Sequence, residues 1–181
     1  MYRFFGLLTL CLTSLICQSL AAQQVTFDAT NGVKIVLPAN QTNKLELYVY
    51  DYYTDVFING KQHFLPQGVQ QSSAKKLHVT GGDQKDEISV YGFSTVDLSC
   101  EYELNGGNDL FSNYLNRGPT VYGGDGHDTI NCGNFGSEVY PGFGNDTVNG
   151  GAGGDYVSDQ FLDIYAPSGD DTYILKGEDD V

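Results

Sequence analysis

Short apolar runs alternate with polar or glycine-rich breaks along the chain beyond residue 22. Val25–Phe27, Val33–Leu37, Leu45–Tyr50, Val56–Ile58 and Leu77–Val79 are β-type runs spaced by about ten residues. Within the third run, Leu45, Leu47 and Val49 alternate with Glu46, Tyr48 and Tyr50, the pattern of a half-buried strand. Asn59-Gly60 separates two apolar stretches and predicts a hairpin over 56–64, because a tight hairpin turn needs residues that accept positive φ. No segment beyond residue 22 carries a long helical period. Gln67 to Lys76 reads as a polar connector.

Past residue 80 the pattern becomes a repeat. Four contiguous nine-residue units run from Gly123 to Ser158: GGDGHDTIN, CGNFGSEVY, PGFGNDTVN and GGAGGDYVS. The second position is Gly in all four, and the eighth is Ile or Val in all four. The fourth is Gly in three and the sixth is Asp in three. The unit Cys132–Tyr140 departs, with Phe135 and Ser137 at those places. Weaker copies lie around Gly81–Ile88, Leu104–Phe111 and Ala166–Tyr173.

Each position has a physical task. Glycine permits a tight turn with positive φ. The Asp aims a carboxylate into that turn, and the apolar residue enters a short inward-facing strand. Nine residues then make one turn and one strand, and eighteen make one coil of two strands. Stacked coils would lie about 4.8 Å apart. Sixth-position carboxylates of successive coils would share a gap lined by turn carbonyls, the all-oxygen environment that Ca²⁺ takes.

Charge points the same way. The chain of 181 residues has a net charge of −14. Residues 1–80 hold four acids and six bases, a balance of +2, whereas residues 81–181 hold 19 acids and three bases, a balance of −16. The second part also holds 19 of the 23 glycines. Such a segment repels itself unless counter-charge is supplied. The same acidity argues against nucleic acid, whose phosphates need Lys and Arg, and against anionic membrane surfaces.

The four units resemble the haemolysin-type (RTX) calcium-binding nonapeptide. The clear match covers Gly123–Ser158, and a looser one covers Gly81–Ile174. The resemblance implies an all-β fold, a right-handed parallel β-roll or β-solenoid of stacked nonapeptide turns with an N-terminal β cap. It implies about two to four Ca²⁺ ions between successive turns. Phase puts Asp86, Asp109, Asp128 and Asp146 on one edge. Ser137, Asp155 and Asp163 or Asp171 fall on the other. The best expected gap lies between the Asp128 and Asp146 turns, and the next between those of Asp109 and Asp128. Asp155 with Asp171 is a third. Carbonyls of Gly123, Asp125, Pro141 and Phe143 are the implied additional ligands. Ser137 opposite Asp155 has one carboxylate fewer and is expected to bind poorly.

Met1–Ala22 reads as a secretory signal peptide, with Arg3 ahead of an apolar stretch and Ser19-Leu20-Ala21 as the cleavage site. That reading makes the mature chain secreted or surface-exposed, with no membrane insertion after cleavage. The expected organisation is a signal over 1–22, a β module over 23–80 that caps the first coil, and the repeat region over 81–181. Family members commonly carry a toxin, protease or lipase domain beside their repeats, and none fits the remaining length, so those activities do not carry over. Cys100 and Cys132 remain after cleavage and form either one disulfide or two buried thiols.

His63, His78 and His127 make no zinc spacing with one another or with Cys. No nucleophile elbow, phosphate-cradling loop or HExxH motif occurs. Tyr48, Tyr50, Tyr52 and Tyr53 read as a Tyr-rich outer strand face, or as a sugar-stacking platform. The expectation is a non-enzymatic, exported calcium-binding protein that folds around Ca²⁺, with surface adhesion or matrix interaction as its use and its protein or glycan partner unassigned. The alternative is a polysaccharide-directed accessory module, or a small lyase or epimerase, with a calcium-stabilised solenoid.

Overall fold

Residues with β-branched or aromatic side chains at every second place form strands wherever the intervening residues can face solvent. The computed structural model describes residues 24–28, 32–51, 53–64, 76–95, 97–158 and 172–175. These contain fifteen strands and no helix. They are β1 (Gln24–Asp28), β2 (Gly32–Val36), β3 (Asn43–Tyr50), β4 (Tyr53–Ile58), β5 (Lys61–His63), β6 (Lys76–Thr80), β7 (Asp86–Phe93) and β8 (Ser99–Glu103). Then come β9 (Leu110–Leu115), β10 (Thr120–Asp125), β11 (Thr129–Asn131), β12 (Glu138–Phe143), β13 (Thr147–Gly151), β14 (Tyr156–Val157) and β15 (Thr172–Leu175). The segment read as a signal, 1–22, lies outside the described residues. So does most of the expected connector 67–76.

The strands form two open sheets. One runs β1-β2-β6-β8-β10-β12-β14, and the other β15-β13-β11-β9-β7-β3-β4-β5. From β6 to β14 the chain alternates between them, adding a strand to each in turn. Every pair along β2-β6-β8-β10-β12-β14 and along β3-β7-β9-β11-β13-β15 is parallel. Antiparallel pairing is confined to β1 on β2 and to β3-β4-β5. The β4–β5 hairpin turns at Asn59 and Gly60, with φ of 52° and 76°. Parallel pairing also crosses the boundary expected at residues 80/81: Asn43–Tyr50 pairs along Asp86–Phe93, and Lys76–Thr80 along Ser99–Glu103.

Inward side chains line up in columns. In one sheet Ile35, Val79, Tyr102, Val121 and Val139 are in register. In the other, Leu45, Ile88, Phe111, Ile130 and Val148 are in register. All ten are 0% exposed. Val121 aside, the repeat members of these columns are eighth-position residues, and successive units feed opposite sheets. Tyr102 and Phe111 meet across the interior with ring centroids 4.7 Å apart, so the core lies between the sheets. Burying each such Ile, Leu or Phe contributes roughly 1.5–3 kcal/mol. Cys100 and Cys132 are both buried and both free thiols. Burial pushes each thiol up to about 12, which keeps it protonated and unreactive.

Outward positions carry aromatic ladders. Tyr48 stacks on Tyr91 and Tyr91 on Tyr114, each at 5.1 Å, and Tyr122 stacks on Tyr140 at 5.1 Å. Tyr48 also meets Phe57 edge-on. The faces that Tyr48 would offer a sugar are therefore largely taken up by neighbouring rings. Tyr52 lies outside the described residues.

Candidate functional site

The turns leading from the first sheet to β7, β9, β11 and β13 each place one acidic residue at the start of the strand. Asp86, Asp109, Asp128 and Asp146 occupy that place before or at β7, β9, β11 and β13, with Asn43 at β3. All five are buried, at 0–2% exposure. They form a ladder of hydrogen bonds running through the stack. Asp109 Oδ1 accepts the Asp86 backbone N–H at 2.6 Å. Asp128 Oδ1 accepts that of Asp109 at 2.8 Å, and Asp146 Oδ1 that of Asp128 at 2.8 Å. On the opposite edge Asp155 Oδ1 accepts the Ser137 N–H at 2.8 Å. The two edges thus contain the members that phase assigned to them; Asp163 and Asp171 lie outside the described residues.

The ladder is not uniform. Asp86 is fully served. Its Oδ1 accepts from the Asn43 backbone N–H and side-chain amide at 3.1 and 2.7 Å, and its Oδ2 accepts from Gly82 N–H at 2.7 Å. Burial raises its carboxyl above the usual range while the Gly82 and Asn43 donors oppose the shift. Asp109 and Asp128 differ: each has an Oδ2 shut off from solvent with no hydrogen-bond partner. Burial pushes the Asp109 carboxyl up to about 7 and the Asp128 carboxyl up to about 6, and the neighbouring aspartates push in the same direction.

Backbone packing explains the glycines around these carboxylates. A Cβ on Gly123 would stand 2.8 Å from Asp128 Oδ2 and 2.0 Å from the Pro141 carbonyl oxygen. The Gly107 N–H donates to the Asp125 carbonyl at 2.9 Å, and the Gly126 N–H donates to that of Phe143 at 2.7 Å. Gly123, Asp125, Pro141 and Phe143 therefore sit in adjacent stacked turns. The carbonyls of Asp125 and Phe143 each use one lone pair on the next turn and retain a second.

No family model matches the chain, and neither a curated protein nor a solved structure is significantly similar to it.

Sequence reading missed two features. Asn43 closes the ladder, because nothing local marks it as the partner of a residue 43 positions away. The second is a group on the outer face of the first sheet, His78, Glu101 and Glu103, whose ligand-type atoms lie within 4.8 Å of one another. Its members come from two strands, and only the β6–β8 register joins them.

Proposed function

We propose that the chain is an exported, calcium-binding parallel β-roll of the haemolysin type, whose acidic turns fold around Ca²⁺. The observation that carries this reading is the pair of buried, unpartnered Oδ2 atoms on Asp109 and Asp128. A carboxylate oxygen without a donor in a dry site is costly unless a proton or a cation meets it. Turns spaced by 19 and 18 residues along Asp109, Asp128 and Asp146 bring carboxylates and carbonyls together, and that all-oxygen donor set suits Ca²⁺. Asp128 and Asp146 would share one ion, Asp109 and Asp128 another. Asp125 and Phe143 would add carbonyl oxygens, with Gly123 and Pro141 beside them. Asp155 would hold a weaker site opposite Ser137. When bound, Ca²⁺ supplies counter-charge; the chain's own turns fix spacing and exclude water. Extracellular calcium-binding modules bind with Kd of about 10⁻⁴–10⁻³ M, and at such an affinity external calcium would set the folded population.

The test is a calcium titration followed by far-UV circular dichroism, with magnesium as control. A gain of β signal near millimolar Ca²⁺ and not with Mg²⁺ is expected. The double variant Asp128→Ala/Asp146→Ala should weaken calcium affinity by about tenfold or more, as loss of two ligating charges requires. An unchanged affinity would remove these turns as the site.

A further inference from the structure

We propose that His78, Glu101 and Glu103 form a second metal site, for a divalent transition ion of the Zn²⁺ class, on the outer face of the first sheet. This site does not depend on the calcium reading of the turns. β6 and β8 are parallel neighbours in which His78 pairs with Glu101 and Thr80 with Glu103. Leu77 and Val79 point into the core on one strand, and Cys100 and Tyr102 on the other. Alternation therefore sends His78, Glu101 and Glu103 to the same outer face, where all three are half-buried.

Three observations go beyond simple clustering. First, His78 Nε2 is closed off from solvent and makes no hydrogen bond. A ring nitrogen shut off from solvent without a hydrogen-bond partner, with two carboxylates close by, is an unsatisfied polar atom that a bound cation would meet. Second, Nε2 stands 3.4 Å from Glu103 Oε2. A charge-assisted N–H···O⁻ bond is shorter, about 2.7–2.9 Å. Two ligands bound at about 2.0–2.1 Å to one tetrahedral ion lie roughly 3.3 Å apart, which matches. Third, the Thr80 hydroxyl donates to Glu103 Oε2 at 3.2 Å, the kind of outer contact that orients a ligating carboxylate.

The donor set selects the ion. Imidazole with carboxylates suits Zn²⁺ and its neighbours, whereas Ca²⁺ takes oxygen alone. Three protein ligands leave a fourth position for water. Thr120 and Tyr122 of β10 pair with Glu101 and Glu103, and Lys34 of β2 pairs with His78 from the other side. A bound ion would tie β6 to β8 on their outer face.

The test is Zn²⁺ titration of the untagged chain by calorimetry, in saturating Ca²⁺ so that the acidic turns are occupied. Co²⁺ serves as a spectroscopic probe of tetrahedral ligation. One saturable equivalent is expected. His78→Ala and Glu103→Gln should each weaken it by about 100-fold, and Thr80→Val by about tenfold, as removal of a ligand and of its orienting contact respectively. Glu46→Gln, a carboxylate on β3 of the other sheet, should leave it unchanged. Circular dichroism identical to wild type keeps each variant interpretable; if His78→Ala misfolds, Glu101→Gln, at an outward position, carries the same expectation. No saturable uptake by the wild type would overturn the proposal. So would uptake that survives His78→Ala, or uptake abolished by Glu46→Gln.

Discussion

At the scale of single residues, Asp109 and Asp128 set the pH behaviour of the metal-free protein. Unfolded, both would titrate near 4. Folded, burial holds them near 7 and 6. Between about pH 4 and pH 7 the folded chain therefore binds more protons than the unfolded one, and stability falls as pH rises through that window. On the proposed calcium reading, Ca²⁺ would reverse the sign, because it would replace those protons and bind the charged form. In excess chelator the urea midpoint should be higher at pH 5 than at pH 8, and in millimolar Ca²⁺ the order should invert. Equal midpoints in chelator would show that neither carboxyl is displaced. His127 illustrates how little a sequence position reveals alone. It occupies a variable, exposed turn place, yet its Nδ1 accepts the Asn145 N–H of the next turn at 2.8 Å.

At the scale of elements, two glycines separate local from stacked demands. Gly60 has φ of 76° in the β4–β5 turn, and a Cβ there would meet nothing within 4 Å. Gly60→Ala should cost only the conformational term, about 1 kcal/mol. Gly126 has φ of 144°, and a Cβ there would come 1.5 Å from the Gly107 carbonyl oxygen of the preceding turn. Gly126→Ala must separate two stacked turns and should cost more than about 4 kcal/mol, or abolish folding. Urea unfolding of the two variants checks the contrast; similar costs would mean that the turns can part without penalty. The hairpin was legible because its signal is contained in Asn59-Gly60. The strands of the repeats were legible because Ile130, Val139, Val148 and Val157 recur at fixed spacing. That β2 and β3 would extend the parallel sheets was not legible, since nothing in their sequences names β6 and β7 as partners.

At the scale of the whole molecule, a net charge of −14 opposes compaction. Monovalent salt screens such repulsion only through space, with a Debye length of about 8 Å at physiological ionic strength and about 3 Å at 1 M. On the proposed calcium reading, raising KCl from about 0.15 to 1 M in chelator should therefore raise the melting temperature by less than millimolar Ca²⁺ does, because a site-bound ion would also meet the buried oxygens of Asp109 and Asp128. Equal effects of KCl and Ca²⁺ would reduce calcium to a screening ion. The order of the sheets bears on the same point. The acidic residues of the first edge lie one above another, so their repulsion accumulates along the stack while each backbone N–H offsets only one oxygen of its neighbour.

The amino-acid sequence alone determined the β character, the hairpin turn, the inward column of the repeats and the two edges on which the acidic turns divide. Each of these follows from periods of two, nine and eighteen residues, which the chain carries within itself. Tertiary structure alone decided which acidic residue is served and which is not. Asp86 and Asp128 occupy equivalent turn positions, yet Asn43 and Gly82 satisfy the first, while Asp128 keeps a buried oxygen without a donor. It also decided that His78, Glu101 and Glu103 meet. The physical reason is register: pairing between strands is set by packing of the shared core and by turn stacking, and those act between residues that the sequence keeps far apart.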